Sequence, residues 1–292
     1  MTTEFPTDDL TRYYHLIKIL DKLVEKIDLE FKNDLRWYLF SLRLSRKLLF
    51  HCKSFCLHSA DMLFDEDIQM EKENAYVDVS GLFSNLRFQM DCYSTLHHIF
   101  FDDVDWETKR LRFDLWRYDS FVERINLNIG NENDFNQLEE LKGNIEINHY
   151  FKSLEAEKQK VIFDHSKHFS NWKFFTSRLT KKDSRVKWTE LFQNTGINII
   201  EMNKAYGFLS MYVHSNFFSV GHLTEMNKSE ANQARVFAIT FSSFIICFAI
   251  DDLISKFIPG KDFLKQMNKK DYEIIKSFII ISREPEKNKN FI

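Results

Sequence analysis

Glycine and proline are scarce in this sequence, with 7 Gly and 3 Pro among 292 residues. A sheet protein of this size needs many tight turns, and turns favour these two residues. Their scarcity therefore excludes a turn-rich sheet and favours long helices. Apolar residues make up 44% and charged residues 28%, which is enough for a packed core beneath a polar surface. The sequence predicts an all-α protein.

The chain also lacks a strong charge of one sign and a disulfide pattern. Its formal net charge is −3, so no overall basic field would attract nucleic acid. Cys52, Cys56, Cys92 and Cys247 are spread widely, which is typical of a reducing compartment rather than of a disulfide-stabilised secreted domain. The N-terminal residues have neither the basic nor the apolar run of a signal peptide. We therefore expect a cytoplasmic protein.

The longest apolar run, Val236–Ile250, is shorter than a membrane span. It covers 15 residues, whereas a transmembrane helix needs about 20. We therefore expect a buried central helix and no membrane partner.

Several motifs that carry cofactor chemistry are missing. The sequence contains no G-x-x-x-x-G-K, G-x-G-x-x-G or G-x-S-x-G, which argues against P-loop, dinucleotide and α/β-hydrolase chemistry. His51, Cys52, Cys56 and His58 fall on one predicted helix, and one helix cannot fold four ligands around a tetrahedral ion. We expect neither a cofactor nor a metal site.

Apolar residues recur at spacings of three and four along most of the chain, which predicts a multi-helix bundle. No repeat, low-complexity run or linker interrupts the pattern. The simplest organisation is a single helical domain. It would comprise an N-terminal helical hairpin (1–75), a core bundle (76–258), and a C-terminal helix with a tail (259–292).

Capping residues and Pro-Gly pairs suggest where several helices begin and end. Ser80 would cap a helix that runs to about Phe101, and another helix would cover Asp134–Leu154. Ser229 would cap the last long helix, which Pro259-Gly260 would end.

The helix predicted over Leu35–Leu63 is apolar on several sides, so we expect it to pack on more than one neighbour. Within it, Arg46 and His51 match R-x4-H, similar to the Arg and His with which helical HEPN nucleases act on the RNA 2′-hydroxyl and scissile phosphate. Chance supplies about one such match in a chain of this composition. We keep this pair as a weaker alternative site.

One imidazole stands among hydroxyls and amides inside a core-like helical pattern. Tyr206, Ser210 and His214 are spaced by four residues and share roughly one helix face, with Tyr212 and Asn216 close by in sequence. Such an imidazole can act as an acid or base near neutral pH. The alternative is a structural histidine whose nitrogens satisfy nearby groups.

A second set of polar residues lies on the two preceding helices. Arg87 and Asp91 are four residues apart in a strongly apolar helix, and Arg117 and Tyr118 lie on the next one. If Arg87 faces inward it must be paired, because an unpaired buried charge is too costly. Asp91 is then its first partner and Tyr118 a second. The alternative is a surface pair worth about 0.2–0.5 kcal/mol.

Two of these segments, NLRFQMDCYSTLHHIFFD (Asn85–Asp102) and YGFLSMYVHSN (Tyr206–Asn216), carry a resemblance. Together they resemble a prokaryotic all-helical family of unknown function, similar to HEPN bundles, with an L-R-x-x-x-[ED] helix and an L-S-x-Y-x-H motif. The resemblance implies an all-helical fold and a polar cluster that joins the two segments. The positions that it implies for the cluster are Arg87, Asp91, Ser210, Tyr212 and His214.

Two functions follow from these residues. The first is a HEPN-like nucleotide- or RNA-binding protein, or an RNase, of a bacterial toxin or anti-phage system. Arg87 and Arg117 would hold phosphate, His214 would be the acid or base, and Tyr212 and Asn216 would position it. The second is a non-enzymatic helical module that binds a protein partner or a second copy, with the same residues as a buried network. An open pocket around Arg87 favours the first, and a closed network the second.

Overall fold

The computed structural model describes residues 9–30, 36–59, 78–163, 171–174, 187–198, 200–214, 219, 222 and 226–283. All regular structure in these residues is helical, which confirms the all-α prediction. The α-helices in chain order are α1 (Asp9–Glu30), α2 (Arg36–Ser59), α3 (Val79–Leu96), α4 (Trp106–Asn126), α5 (Glu132–Ile147), α6 (His149–Ser153), α7 (Ala156–Phe163), α8 (Trp188–Gln193), α9 (Ile200–Val213), α10 (Lys228–Lys256), α11 (Ile258–Gln266) and α12 (Lys269–Arg283).

The helices form two compact units. The first is built from Met1–Leu96 and Phe192–Ile292, and the second from His97–Leu191. The predicted single domain stays a prediction, because two compact units can still fold cooperatively as one domain.

Helix α10 is the core of the first unit. Every residue of Phe241–Ile250 is buried, and α1, α3, α11 and α12 pack against the helix, so the predicted buried central helix is confirmed. Among the described residues, α10 is also the one helix long and apolar enough to cross a membrane. Since 78% of its most apolar window is buried inside the protein, its apolar composition is explained by its place in the core.

A buried polar network joins four helices of this unit. The Ser242 hydroxyl on α10 lies 2.7 Å from the Tyr13 hydroxyl on α1 and also contacts the side-chain oxygen of Gln89 on α3, and its single proton can be donated to either. The Tyr13 hydroxyl donates to the carbonyl of Cys52 on α2 at 3.3 Å. All three side chains are fully buried. Their mutual hydrogen bonds are what makes such burial tolerable.

Helix α3 begins with a different cap from the predicted Ser80. The Asp78 carboxylate accepts a hydrogen bond from the backbone N–H of Gly81 at 2.8 Å and also pairs with His58 at 2.8 Å. A Cβ at Gly81 would lie 2.2 Å from the Asp78 carboxylate, so a side chain there would displace the capping carboxylate. The helix continues to Phe101 as predicted, but its last turn is a π-helix.

The N-terminal cap of helix α10 also differs from the predicted one. Asn227, not Ser229, is the cap, and it forms a reciprocal capping box with Glu230. The helix ends at Lys256, close to the predicted end. Pro259 lies in the first turn of α11, where its missing N–H costs no helical hydrogen bond.

In the second unit α4 packs against α5 and α6. The helix predicted over Asp134–Leu154 is divided in two, because Asn148 adopts an extended backbone with ψ 132° and caps α6 by accepting from the N–H of Phe151 at 3.1 Å. A capping asparagine favours a new helix start over helix continuation. The predicted start at Asp134 is two residues late, since Asn131 caps α5.

A buried arginine ties α4 to the π-helical turn within this unit. Arg112 is 1% exposed. One of its nitrogens donates to the carbonyl of His98 at 2.7 Å and to the carboxylate of Asp102 at 2.6 Å. Burial lowers the pKa of Arg112 while Asp102 opposes that shift, so the charge is held in place by its partners.

Candidate functional site

Four polar side chains meet where α3 packs along α9. Arg87 and Asp91 are four residues apart on α3, and Tyr206 and Ser210 are four residues apart on α9, so each pair projects from one helix face. Helices α3 and α9 are in contact, which brings the two pairs together. We call these four residues the α3–α9 cluster. The predicted pairing of Arg87 with Asp91 is confirmed.

The cluster is a closed ring of contacts around the Arg87 guanidinium. Arg87 forms an ion pair with Asp91, and its Nε donates to Ser210 Oγ at 3.2 Å. Its Cζ lies 3.6 Å from the ring centroid of Tyr206, a cation–π geometry. The Tyr206 hydroxyl closes the ring by donating to the Asp91 carboxylate at 2.8 Å. The tyrosine that contacts Arg87 is thus Tyr206, which the sequence analysis grouped with His214.

The burial of the cluster sets its electrostatics. The side chains of Arg87 and Asp91 are 12% and 28% exposed. Burial, together with the neighbouring Asp91 carboxylate, raises the pKa of Tyr206, so the hydroxyl stays protonated and keeps donating. The guanidinium already serves a carboxylate, a hydroxyl and a ring. Its buried Nη1, although it lies beside the Asp91 carboxylate, makes no hydrogen bond within the described residues.

The predicted catalytic residues lie past the cluster, at the end of α9. The His214 side chain is exposed, and its backbone N–H donates to the carbonyl of Ser210 at 3.1 Å. The Tyr212 hydroxyl is hydrogen-bonded to Nδ1 of His222, and burial raises the pKa of Tyr212. Asn216 lies outside the described residues. The hydroxyls expected around His214 therefore bond to other partners. His222 was not predicted as a partner of Tyr212, because no helical spacing connects it to α9.

Arg117 and Tyr118, predicted to bind substrate with Arg87, belong to the second unit. The Arg117 guanidinium lies 3.8 Å from the Asp114 carboxylate and donates to the side-chain oxygen of Gln137 at 3.2 Å. Burial raises the pKa of Asp114 to about 6, an effect that Arg117 opposes. The buried Tyr118 packs on Phe163, with ring centroids 5.5 Å apart. Within this unit both residues have structural partners.

Arg46 and His51, the weaker alternative site, point in two different directions from α2. Arg46 forms an ion pair with Asp28 of α1, whereas the ring of His51 lies 5.6 Å from that of Phe88 on α3. Burial and, secondarily, Lys47 lower the pKa of His51. Five residues along a helix turn the side chain by about 140°, so the two residues do not converge on one ligand.

The cysteines and histidines provide no metal site in the part of the chain that the structure describes. Burial raises the pKa of the Cys56 thiol to about 11 and that of Cys92 to about 12. These thiols are protonated at neutral pH and behave as small apolar side chains.

One surface was not anticipated from the sequence. It is a stripe on α2 of three apolar and three basic side chains, all exposed, within an arc of about 80° around the helix axis. We call it the α2 face, and its residues are Leu39, Arg43, Arg46, Phe50, Lys53 and Leu57. Phe50 is 76% and Leu57 70% exposed. Such side chains are usually buried, so their alignment makes this stripe a candidate binding surface.

The charge of α2 is entirely of one sign. Its 24 residues include five basic and no acidic ones. Arg46 and Lys53 pair with Asp28 and Asp21 of α1, the second pair at 2.7 Å. The expectation that α2 packs on more than one neighbour is confirmed by its contacts with α1 and α3. What the apolar count did not predict is that three large apolar residues are left outside.

Comparison with models of known protein families, with curated proteins and with solved structures found no match to this chain. The resemblance to a HEPN-like helical family stays a prediction, and the residues themselves carry the functional argument.

Proposed function

We propose that this chain is a helical protein-interaction module without catalytic activity, and that it binds its partner through the α2 face. The observation that carries the proposal is the exposure of Phe50 and Leu57 among basic side chains on one helix. Apolar anchors in a row suit a partner helix, and charged flanks select it and set its register. The partner chemistry that fits is a helix with apolar side chains among carboxylates.

The α3–α9 cluster supports the non-catalytic part of the proposal. Its arginine is occupied by Asp91, Ser210 and Tyr206, and the exposed His214 lies outside that ring of contacts. A phosphate-transfer site needs an arginine and an acid or base that converge on the same reacting atoms.

Site-specific photocrosslinking in cells tests this function. A photoreactive phenylalanine analogue would replace Phe50 in one variant and Ile258 in a control, since Ile258 is 75% exposed on another helix. We expect discrete protein adducts from position 50 alone, with the crosslinked peptide acidic and helical. Adducts that disappear after RNase treatment, or equal adducts from both positions, would contradict the proposal.

The second candidate is a HEPN-like RNA-binding protein or RNase of a toxin or anti-phage system. The five basic residues of α2 and the pairing of Tyr212 with His222 near the exposed His214 favour it. Its test is growth and total RNA in bacteria that express the wild type, His214→Ala or His222→Ala. Growth arrest with cut RNA that either variant abolishes, at equal soluble levels, would establish this candidate and overturn the first.

A further inference from the structure

Helix α5 in the second unit carries an exposed face of the opposite charge. Its 16 residues include five acidic side chains and one basic one. A stripe of exposed residues spans an arc of about 80° around its axis. We call it the α5 face, and its residues are Glu132, Phe135, Glu139, Gly143 and Glu146. Phe135 is 52% exposed, so an apolar ring is again surrounded by charge.

Gly143 is a second feature of this face that intrachain packing leaves unexplained. A glycine inside a helix costs roughly 1 kcal/mol relative to alanine. A Cβ built at Gly143 meets no atom within 4 Å, so no close approach inside the chain requires the glycine. On an exposed face, a missing side chain lets another helix come close.

The two faces complement each other in pattern and in sign. On α2 the order is apolar, basic, basic, apolar, basic, apolar, and on α5 it is acidic, apolar, acidic, glycine, acidic, both at spacings of three and four. Carboxylates of α5 can therefore lie beside the cations of α2 while Phe50 and Phe135 cover each other. Charge patterns of this kind set partner choice and register between helices.

We propose that the partner of the α2 face is the α5 face of a second copy of this chain. This inference rests on the proposed function and names its partner. Each copy carries both faces, so where a twofold axis relates two copies through both of them, two identical α2–α5 contacts close a dimer. Without that axis the same contact continues from copy to copy as a longer assembly. An RNA ligand would use the cations of α2 alone and ignore α5.

Charge reversal on each face separates these outcomes. One variant carries Arg43→Glu on the α2 face and Lys47→Glu one turn further along the helix at the edge of that face, and the other carries Glu139→Lys and Glu146→Lys on the α5 face. All four residues are exposed, and Arg46 and Lys53 are left unchanged because they pair with α1. The control, Lys228→Glu with Lys261→Glu, makes the same charge change as the first variant at exposed positions elsewhere.

The measurement is sedimentation velocity of the full-length chain from 1 to 100 µM, a range typical of weak self-association, with thermal unfolding to confirm folding. We expect the wild type and the control to associate. Each reversed variant should bind itself at least about tenfold more weakly, since like charges then face each other. An equimolar mixture of the two variants should associate again, because it restores both opposite-charge contacts.

Three results would overturn the inference. They are a wild type that stays monomeric throughout, reversed variants that associate like the control, and a mixture that fails to recover. If the chain is monomeric but position 50 still crosslinks to a different acidic helical protein, the inference fails and the proposed function stands. If a uridine-rich RNA oligonucleotide binds the wild type and the α5 variant but not the α2 variant, both fail.

Discussion

The α3–α9 cluster and the α2 face lie in the same unit but differ in how far their side chains are buried. In the cluster, Arg87 is enclosed by partners that the protein itself supplies. On α2, Phe50 and Leu57 are exposed among cations. The difference teaches that a polar residue in an apolar pattern is not by itself a site. What decides is whether the fold already satisfies it.

Among the charged side chains that the fold already satisfies, Arg112 in the second unit should contribute most to stability. Arg112→Met removes a fully buried charge and leaves the carbonyl of His98 without its donor. We expect the free energy of unfolding to fall by about 3 kcal/mol in urea denaturation. Arg110→Met is the control, because Arg110 is 45% exposed and lies 3.9 Å from the Asp114 carboxylate. This substitution should lower the free energy of unfolding by at most about 0.5 kcal/mol. Equal losses would contradict the assignment.

Arg87→Met should have the next largest effect. The substitution leaves Asp91 and Ser210 without their cation in a mostly buried setting, so we expect a loss of about 2 kcal/mol. Arg46→Met is a matched control in the same unit, since Arg46 also pairs with an aspartate but is exposed. Chemical unfolding of both variants measures the contrast. If Arg87→Met leaves the free energy of unfolding unchanged, Arg87 becomes a candidate ligand-binding residue again.

An effect that depends on pH is expected at Asp252. Burial and, secondarily, Asp251 raise the pKa of Asp252 to about 7, although the hydrogen bond from Tyr93 opposes the shift. In the unfolded chain this carboxyl titrates near about 3.9. Between these values the folded state holds a proton that the unfolded state has released. The contribution of Asp252 to stability therefore falls as pH rises from about 4 to about 7.

Asp252→Asn removes that titration while keeping an oxygen that can accept from Tyr93. Relative to the wild type, the variant should gain stability steadily from pH 4 to pH 7 and no further above that. Urea unfolding at three pH values in and above this window measures the difference. A difference that does not change with pH would show that Asp252 titrates normally.

The smallest effect on stability is expected on the α2 face. Phe50→Ser should change the free energy of unfolding by no more than about 0.5 kcal/mol, since the ring is exposed. Phe55→Ser, on the buried side of the same helix, should cost about 3 kcal/mol or more. Comparable losses at the two positions would mean that Phe50 belongs to the core.

Much of the fold follows from the sequence. Few glycines and prolines, together with apolar spacings of three and four, predict helices, and the run Val236–Ile250 predicts the central one. The pair Arg87 and Asp91 is predictable because both lie on one helix. Their partners Tyr206 and Ser210 are 115 or more residues away, and no local pattern specifies which side chains meet across helices.

The rotation of α2 about its own axis is a second feature that the sequence does not predict. A helix that is apolar on several sides does not reveal which side its neighbours cover, so Phe50 and Phe55 look alike in the sequence. The capping residues show the same limit on a smaller scale. Asp78 and Ser80 are both good caps, and the choice between them depends on where His58 lies.

The most direct test measures Arg87→Met and Phe50→Ser together in two assays, unfolding free energy and sedimentation velocity. The account predicts a crossed result. Arg87→Met loses about 2 kcal/mol of stability and its folded fraction still associates, whereas Phe50→Ser keeps its stability and fails to associate. The opposite pattern would contradict the account. In that pattern Arg87→Met is stable but fails to associate, and Phe50→Ser associates normally.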